Sequence, residues 1–403
     1  MSVMLPDAEW RYRHGVESLL HALGAEKGKL RYVGGAVRDS LLGLDVSDID
    51  LATSHRPEAV LKLLSDAGIK AVPTGMAHGT ITAVVDSRPY EITTLRSDAN
   101  TDGRRATVAY SEDWEADSCR RDFTINALYA DPVSGEIFDY HDGLADLKSR
   151  QVRFIGDAGA RIIEDHLRIL RFFRFFARFG SATPDADGYA ACVAHANSLM
   201  ALSRERIADE LLKLLALPDP VPALRLMIDG GILRSVLPEI DSEGTARLAH
   251  LLEREAAAGL PASAILRLCA LLPRDAAQGD AVAARLKLSN KARKRIALAL
   301  SPPPPSRTTH ELAFRVGVQG AQDIVLLDPA VDPAKAAAIG AWKAPDFPVG
   351  GAALIALGMP PGPDMARALT AIREQWIAED FPGPERTHEI AVQITSKFQR
   401  DCQ

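Results

Sequence analysis

The sequence predicts an α+β chain: a small α/β head at the start and an all-helical remainder behind it. Three observations carry this. β-Branched runs of strand type, bounded by glycines and polar turns, fall within the first 155 residues or so. From Gly156 onward the chain is rich in Ala, Leu and Arg at helical spacing, with almost no strand signal. Inside that remainder, SPPPPSR at 301–307 and FPVGGAALIALGMPPGP at 347–363 break one helical stretch from the next.

The elements follow in order. Residues 7–25 form a lead helix with Trp10, Val16, Leu19, Leu20 and Leu23 on its apolar side. KLRYVGG is a short strand entering a glycine turn, AVRDSLLG a helix closed by Gly43, and SDIDLAT a second strand. HRPEAVLKLLSDAG is a helix with Pro57 in its first turn and Gly68 as its stop. TITAVV and PYEITTLR are strands, residues 98–118 a polar loop, and FTINALYAD with GEIFDY closes the head near residue 155.

Bulk properties narrow the class. At 403 residues the chain holds more than one domain. No apolar run reaches the ~18–20 residues needed to span a bilayer. MSVMLPDAEWRYRH lacks the apolar core of a signal peptide. Cys119, Cys192, Cys269 and Cys402 are far apart with no CxxC, which points to a reducing cytoplasm and no zinc site. The net charge of −6 does not announce a nucleic-acid binder, so distribution matters more than the sum. RLKLSNKARKR, 285–295, carries six basic residues and no acid, and Gln151–Gly180 has six arginines against three acids. Lys287, Lys291, Arg293, Lys294 and Arg295 are therefore candidates for gripping nucleic-acid phosphates, the alternative being a solvated helix face.

Four constellations carry chemistry. Gly34-Gly35, between a strand and a helix, lets backbone N–H groups approach an anion, with Arg38 one turn on. In D-I-D, Asp48 and Asp50 project to one face of a strand, where a divalent cation relieves their repulsion. Glu91 lies on a strand that can pair beside them and supplies a third carboxylate. In CRRDFTINALY, Arg121 suits a triphosphate, Asp122 has the look of an N-cap, and Asn126 can hold a sugar or a neighbouring loop. The plain reading of that stretch is a capped helix with incidental charge.

In EDHLRILRFFRFFARFG, Glu164, Arg168, Arg171 and Arg178 fall in one helical sector with Arg174 at its rim. Ile169, Phe172, Phe173 and Phe176 take the other side. Asp165 and Arg168 are three apart, so their heads meet. A carboxylate accepts from an exocyclic amino group and a guanidinium donates to a ring nitrogen, which selects cytosine and adenine over guanine and uracil.

Taken in order, GGAVRDSLLG with DID, RRDFTINAL, DPVSGEIFDYHDGLADLKSRQVRFIGD and EDHLRILRFFRF resemble the class II tRNA nucleotidyltransferase / poly(A) polymerase family. The motifs cover about residues 29–180, and LKLSNKARKR with the 347–363 elbow resembles the body and tail of the CCA-adding branch. The resemblance implies a polymerase-β-like nucleotidyltransferase head with a mostly antiparallel or mixed sheet, followed by all-α neck, body and tail. Their expected spans are 1–155, 156–220, 221–340 and 341–403. It implies Mg²⁺, two ions, on Asp48 and Asp50, and nucleotide contacts at Gly35, Arg38, Arg121, Asp165, Arg168, Arg171 and Arg174. Residues 131–157 match the family's head-to-neck motif, a hinge. The implied partners are CTP, ATP and the 3′ end and acceptor/T arm of tRNA, with no membrane and no obligate protein partner. The implied activity is CCA addition to tRNA with release of pyrophosphate.

A-adding, CC-adding and poly(A)-polymerase activities are the alternatives within the family. PTGMAHGTITAVV lacks the basic G-[RK]-[RK]-F-[RK] signature of bacterial poly(A) polymerases. Outside it, a metal-dependent phosphohydrolase would need His-Asp order and further histidines that are missing around His166, and a catalytically silent RNA-binding protein would not need both aspartates of D-I-D.

Overall fold

The computed structural model describes residues 3–97 and 109–401. The chain divides into two units, Met1–Ser203 with Asp229–Ser235, and Arg204–Ile228 with Val236–Gln403.

The first unit is built on Leu30–Val33 (β1), Asp50–Thr53 (β2), Lys70–Gly75 (β3), Thr80–Val85 (β4), Arg88–Thr94 (β5), Leu128–Ala130 (β8) and Ile137–Asp139 (β9), in the sheet order β3-β4-β5-β2-β1-β8-β9. Arg96–Ser97 (β6) and Ala109–Tyr110 (β7) form a separate small ladder. β2 and β5 are parallel, and the other ladders of the large sheet are antiparallel. The head is thus the mixed, mostly antiparallel sheet that the sequence implied.

Register separates the two faces. Tyr32, Leu51, Ile92 and Ile81 are cross-strand partners, and all are buried. Val16–Ala22 (α1), Gly35–Leu41 (α2) and Pro57–Asp66 (α3) belong to this layer, and Trp10 reaches Tyr32 edge-on at 4.7 Å while its indole N–H donates to Ser40 at 2.9 Å. The opposite face carries Val33, Asp50 and Glu91.

Several expected elements change. The lead helix is shorter: it is a 3₁₀ turn at Glu9–Tyr12, then α1, with Gly15 at φ +79° between them. The strand expected over SDIDLAT begins only at Asp50. There is a reason on each side. Val33, which pairs Asp50, is the last residue of β1, because Gly34 at φ +68° turns the chain into α2. On the other side, extending the Asp50–Glu91 register would set Asp48 opposite Pro89, which has no N–H to offer. Of the expected loop at 98–118, residues 98–108 lie outside the described residues, and the rest holds β7 and Trp114–Cys119 (α4), capped by Asp113.

The end of this unit is helical: Gly143–Ser149 (α5), Ala158–Glu164 (α6), Leu167–Phe179 (α7) and Ala186–Ala194 (α8). α7 buries Ile169, Phe172, Phe173 and Phe176, and Phe154 stacks on Phe172 at 5.5 Å.

Between Arg204 and Asp401 the described residues of the second unit form only helices and turns: Arg204–Leu215 (α9), Val221–Asp229 (α10), Ser242–Ala258 (α11), Ala264–Leu271 (α12), Ala276–Arg285 (α13) and Asn290–Leu300 (α14), then Thr309–Val316 (α15), Val318–Leu327 (α16), Ala334–Ala341 (α17), Gly351–Ala356 (α18), Pro363–Ala378 (α19) and Pro384–Asp401 (α20). The 301–307 stretch separates α14 from α15, whereas the expected elbow at 347–363 contains α18. Leu354, Met359, Ala368, Ile372, Ile390 and Ala391 give α18–α20 an apolar cluster of their own.

Candidate active site

Asp50 and Glu91 are register partners on the parallel β2–β5 pair, so their carboxylates stand side by side on the sheet face away from α1, α2 and α3. Asp50 is partly buried and Glu91 exposed. The Asp50 carboxyl is pushed up to about 6, first by burial and then by the Glu91 charge, against the pull of Arg121, with Asp48 adding to the rise. Asp48 is exposed, lies just before β2, and accepts from the Ser47 hydroxyl at 3.0 Å. Asp48 therefore reaches the neighbourhood of Asp50 from an irregular segment, in place of the strand alternation expected.

This donor set is all hard oxygen with an excess of negative charge, which fits Mg²⁺ held by one or two carboxylates plus substrate phosphates. Among the described residues no three His, Cys, Asp or Glu side chains are grouped closely enough to hold an ion by themselves.

Arg121 is set against this face by α4. Its Nη2 donates to Asp117 at 3.2 Å and its Nε to the Tyr129 hydroxyl at 3.0 Å, while Tyr129 donates to Asp117 at 2.7 Å. A Cβ on Gly34 would stand 3.7 Å from Arg121 Nη1, so the glycine turn and Arg121 are neighbours. Asp117 also accepts from Arg120 Nε at 3.3 Å and from the Arg96 backbone N–H at 3.0 Å. Three arginines thus surround one buried carboxylate. Arg96 is pushed down to about 10, by burial first and then by Arg120, and its buried Nε meets no acceptor among the described residues.

Arg38 and Asn126 are placed differently from the expectation of direct nucleotide contact. Arg38 is buried, donates to Asp39 from Nε at 2.8 Å and to Asn126 Oδ1 from Nη1, and lies 4.2 Å from the Phe179 ring. Asn126 donates on to Asp122 at 3.0 Å. Asp122 accepts the backbone N–H of Phe123 at 2.9 Å and the Arg171 Nε at 2.7 Å, so it anchors α7 as well as its own turn. The Gly34–Gly35 turn leads directly into α2, as expected.

Asp165 is not on the same helix as Arg168. It ends α6 with extended backbone, and its Oδ1 accepts the Leu167 N–H at 3.1 Å, capping the start of α7. Arg168 donates to Glu164 at 2.6 Å and to the carbonyls of Arg161 at 2.8 Å and Arg120 at 3.3 Å. Glu164 also takes two bonds from Arg161, whose Nη2 donates to the Arg121 carbonyl at 2.6 Å. Arg174 lies 4.6 Å from the Phe175 ring. Sequence reading missed Asp117, Tyr129, Arg161 and Arg96. Asp117 lies four residues before Arg121, one helical turn's spacing, and that spacing was the available signal.

In the second unit the expected basic grip is mostly committed internally. Lys287 pairs with Glu205 at 2.7 Å, Arg293 with Asp280 at 2.8 Å, and Arg295 with Asp323 at 2.7 Å and Ser263 at 2.9 Å. Lys291 and Lys294 are exposed.

With this geometry in view, similarity is specific. Residues 30–153 match the Poly A polymerase head domain, and residues 183–243 match the probable RNA and SrmB-binding site of polymerase A. The class is therefore that of nucleotidyltransferases with a poly(A)-polymerase-type head. The chain is 33% identical over 393 residues to the mitochondrial CCA tRNA nucleotidyltransferase 1 of Mus musculus, covering 93% of this chain and 89% of that one. The Homo sapiens protein of the same name is 43% identical over 218 residues, 53% of this chain and 50% of that one. The crystal structure of the Bacillus stearothermophilus CCA-adding enzyme in complex with CTP superposes with a TM-score of 0.73 at 27% identity, covering 97% of this chain and 100% of that one. The chain belongs to the CCA tRNA nucleotidyltransferase family.

Proposed function

We propose that this chain adds CCA to the 3′ end of tRNA without a template, using CTP and ATP. The observation that carries the reading is the Asp50–Glu91 pair on β2–β5, in a chain similar over 93% of its length to a named CCA tRNA nucleotidyltransferase. The tRNA 3′ oxygen bonds the α-phosphorus of the nucleotide, the α–β bridging bond breaks, and pyrophosphate leaves with the electron pair. Asp48 and Asp50 would hold Mg²⁺, two ions, which when bound offset the carboxylates and steady the charge on the phosphates. Glu91 helps take the hydroxyl proton. Arg121, braced by Asp117 and Tyr129, steadies the triphosphate.

Asp165 and Arg168 read the base, and Glu164 with Arg161 fixes the Arg168 head. Residues 1–155 would then be the catalytic head, 156–220 the neck, 221–340 the body and 341–403 the tail. Lys291 and Lys294 meet the tRNA backbone through salt-sensitive contacts. No described helix is long and apolar enough to cross a membrane. On its widely spaced cysteines we place the reaction in the cytoplasm.

The test is incorporation on tRNA lacking its CCA end, with Mg²⁺ and each labelled nucleoside triphosphate alone and together. Addition of C, C and A that then stops is the expected result. A long A tail would replace the reading with poly(A) synthesis, A only after a CC end with A addition, and no incorporation would end it.

A further inference from the structure

We propose that Asp39 and Arg178 are positioning residues that fix the base-reading segment to the glycine-turn helix, an inference that rests on the function proposed above. Arg178 Nη2 reaches Asp39 Oδ2 at 3.1 Å, while Arg38 holds the other Asp39 oxygen from Nε at 2.8 Å and from Nη2 at 2.7 Å. Arg38 continues to Asn126, Asn126 to Asp122 at 3.0 Å, and Asp122 to Arg171 at 2.7 Å. The relay begins and ends on α7. Arg171 and Arg178 are seven residues apart, two helical turns and about 10 Å along the axis on the same side. Their two carboxylates come from different elements, Asp39 on α2 and Asp122 beyond α4.

Two anchors two turns apart oppose both rotation and sliding of a helix, which a single anchor does not. Arg168 lies one turn before Arg171, and Asp165 caps the start of the same helix. The clasp therefore sets where the base-reading pair stands relative to the turn that leads into α2. The charges leave little slack. Asp39 is buried and serves Arg38 and Arg178 together, so neutralising it takes the shared carboxylate from two cations at once. No part of this relay needs to touch the reacting atoms. It acts through geometry, where a displacement of about 1 Å can cost up to ~100-fold.

The experiment uses the full chain with Arg178→Gln, Arg178→Lys, Asp39→Asn and the Asp39→Asn/Arg178→Gln double variant. One readout is the ratio of kcat/KM for CTP and ATP over GTP and UTP on tRNA ending before its CCA. We expect this ratio to fall about 10-fold or more in the Gln and Asn variants, mainly through KM, with Arg178→Lys recovering part of it. The double variant should lose no more than the worse single one. A second readout needs no activity: amide hydrogen exchange over Leu167–Phe179 should speed up in Arg178→Gln.

Unchanged selectivity in folded variants overturns the proposal, as does additive loss in the double variant. Should Asp39→Asn not fold, the half-exposed Arg178 variants decide alone. A wild-type chain that adds no nucleotide would sink the proposed function, and exchange over α7 would still decide whether the clasp holds the helix.

Discussion

On the open face of the head, Asp50 stands beside Glu91 with its carboxyl pushed up to about 6, and three arginines crowd one carboxylate, Asp117. Around α14 the charges are as dense but settled. Arg285 forks onto Glu239 at 2.7 and 2.9 Å, Arg293 onto Asp280 at 2.8 and 3.0 Å, and Arg295 onto the nearly inaccessible Asp323. The first region keeps like charges together, which the fold tolerates at a cost and a ligand can relieve. The second pairs opposite charges, which serves the fold. Density of charge thus says little about function, and incomplete neutralisation says more.

The comparison breaks first at Asp50. A carboxyl whose folded pKa lies above its unfolded one contributes stability that is present below the unfolded value, about 3.8, and lost as pH rises through about 6. At pH 7 without metal, Asp50→Asn should therefore raise Tm by about 2–4 °C while nucleotide addition falls at least about a thousandfold. Thermal melts in chelator and single-turnover incorporation check the two halves. A lower Tm, or activity within tenfold of wild type, would show that the carboxylate is not held at a cost for chemistry.

The sheet was legible where β-branched residues alternate: TITAVV is β4 and PYEITT falls within β5. β3 was not, because KAVPTG carries a proline, is largely exposed, and pairs through a bulge. The parallel β2–β5 pairing was open from Glu91 alone, but its register, which sets Glu91 opposite Asp50, depends on non-local contacts. Arg38 and Asp122 stood out as charged residues near glycine and before an apolar run. That they join in one relay could not be read, since α2, the turn beyond α4 and α7 meet only in three dimensions. Arg293 and Arg295 looked unopposed for the same reason: Asp280 lies on the preceding helix and Asp323 about thirty residues further on.

A smaller effect is expected at Asp117. Its carboxyl stays below the usual carboxylate range despite burial, through Arg121, the Tyr129 hydroxyl and Arg120. Asp117→Asn keeps an oxygen for Tyr129 but removes the charge that aims Arg121. KM for CTP and ATP should rise about tenfold with kcat within about threefold, since the loss falls on ground-state and transition-state binding alike. Steady-state kinetics on a CCA-less tRNA decide it. A fall in kcat at unchanged KM would make Asp117 part of the chemical step and end its assignment as a brace.

The smallest effect separates paired from exposed cations within the basic segment itself. Lys291→Ala/Lys294→Ala should weaken tRNA binding only about fivefold near 150 mM salt, reduce the slope of log affinity against log salt by about two, and leave Tm within about 1 °C. Arg295→Ala should do the reverse. Asp323 would keep a buried charge with its main partner gone, so Tm should fall by about 3–5 °C with the salt slope unchanged. Both quantities come from filter binding across a salt series and melts on the same samples. If Arg295→Ala flattens the slope by about one at constant Tm, the guanidinium leaves Asp323 for a phosphate when tRNA arrives. The ion pair would then be a resting state of the binding surface, and the contrast between the two regions would shrink to one of timing.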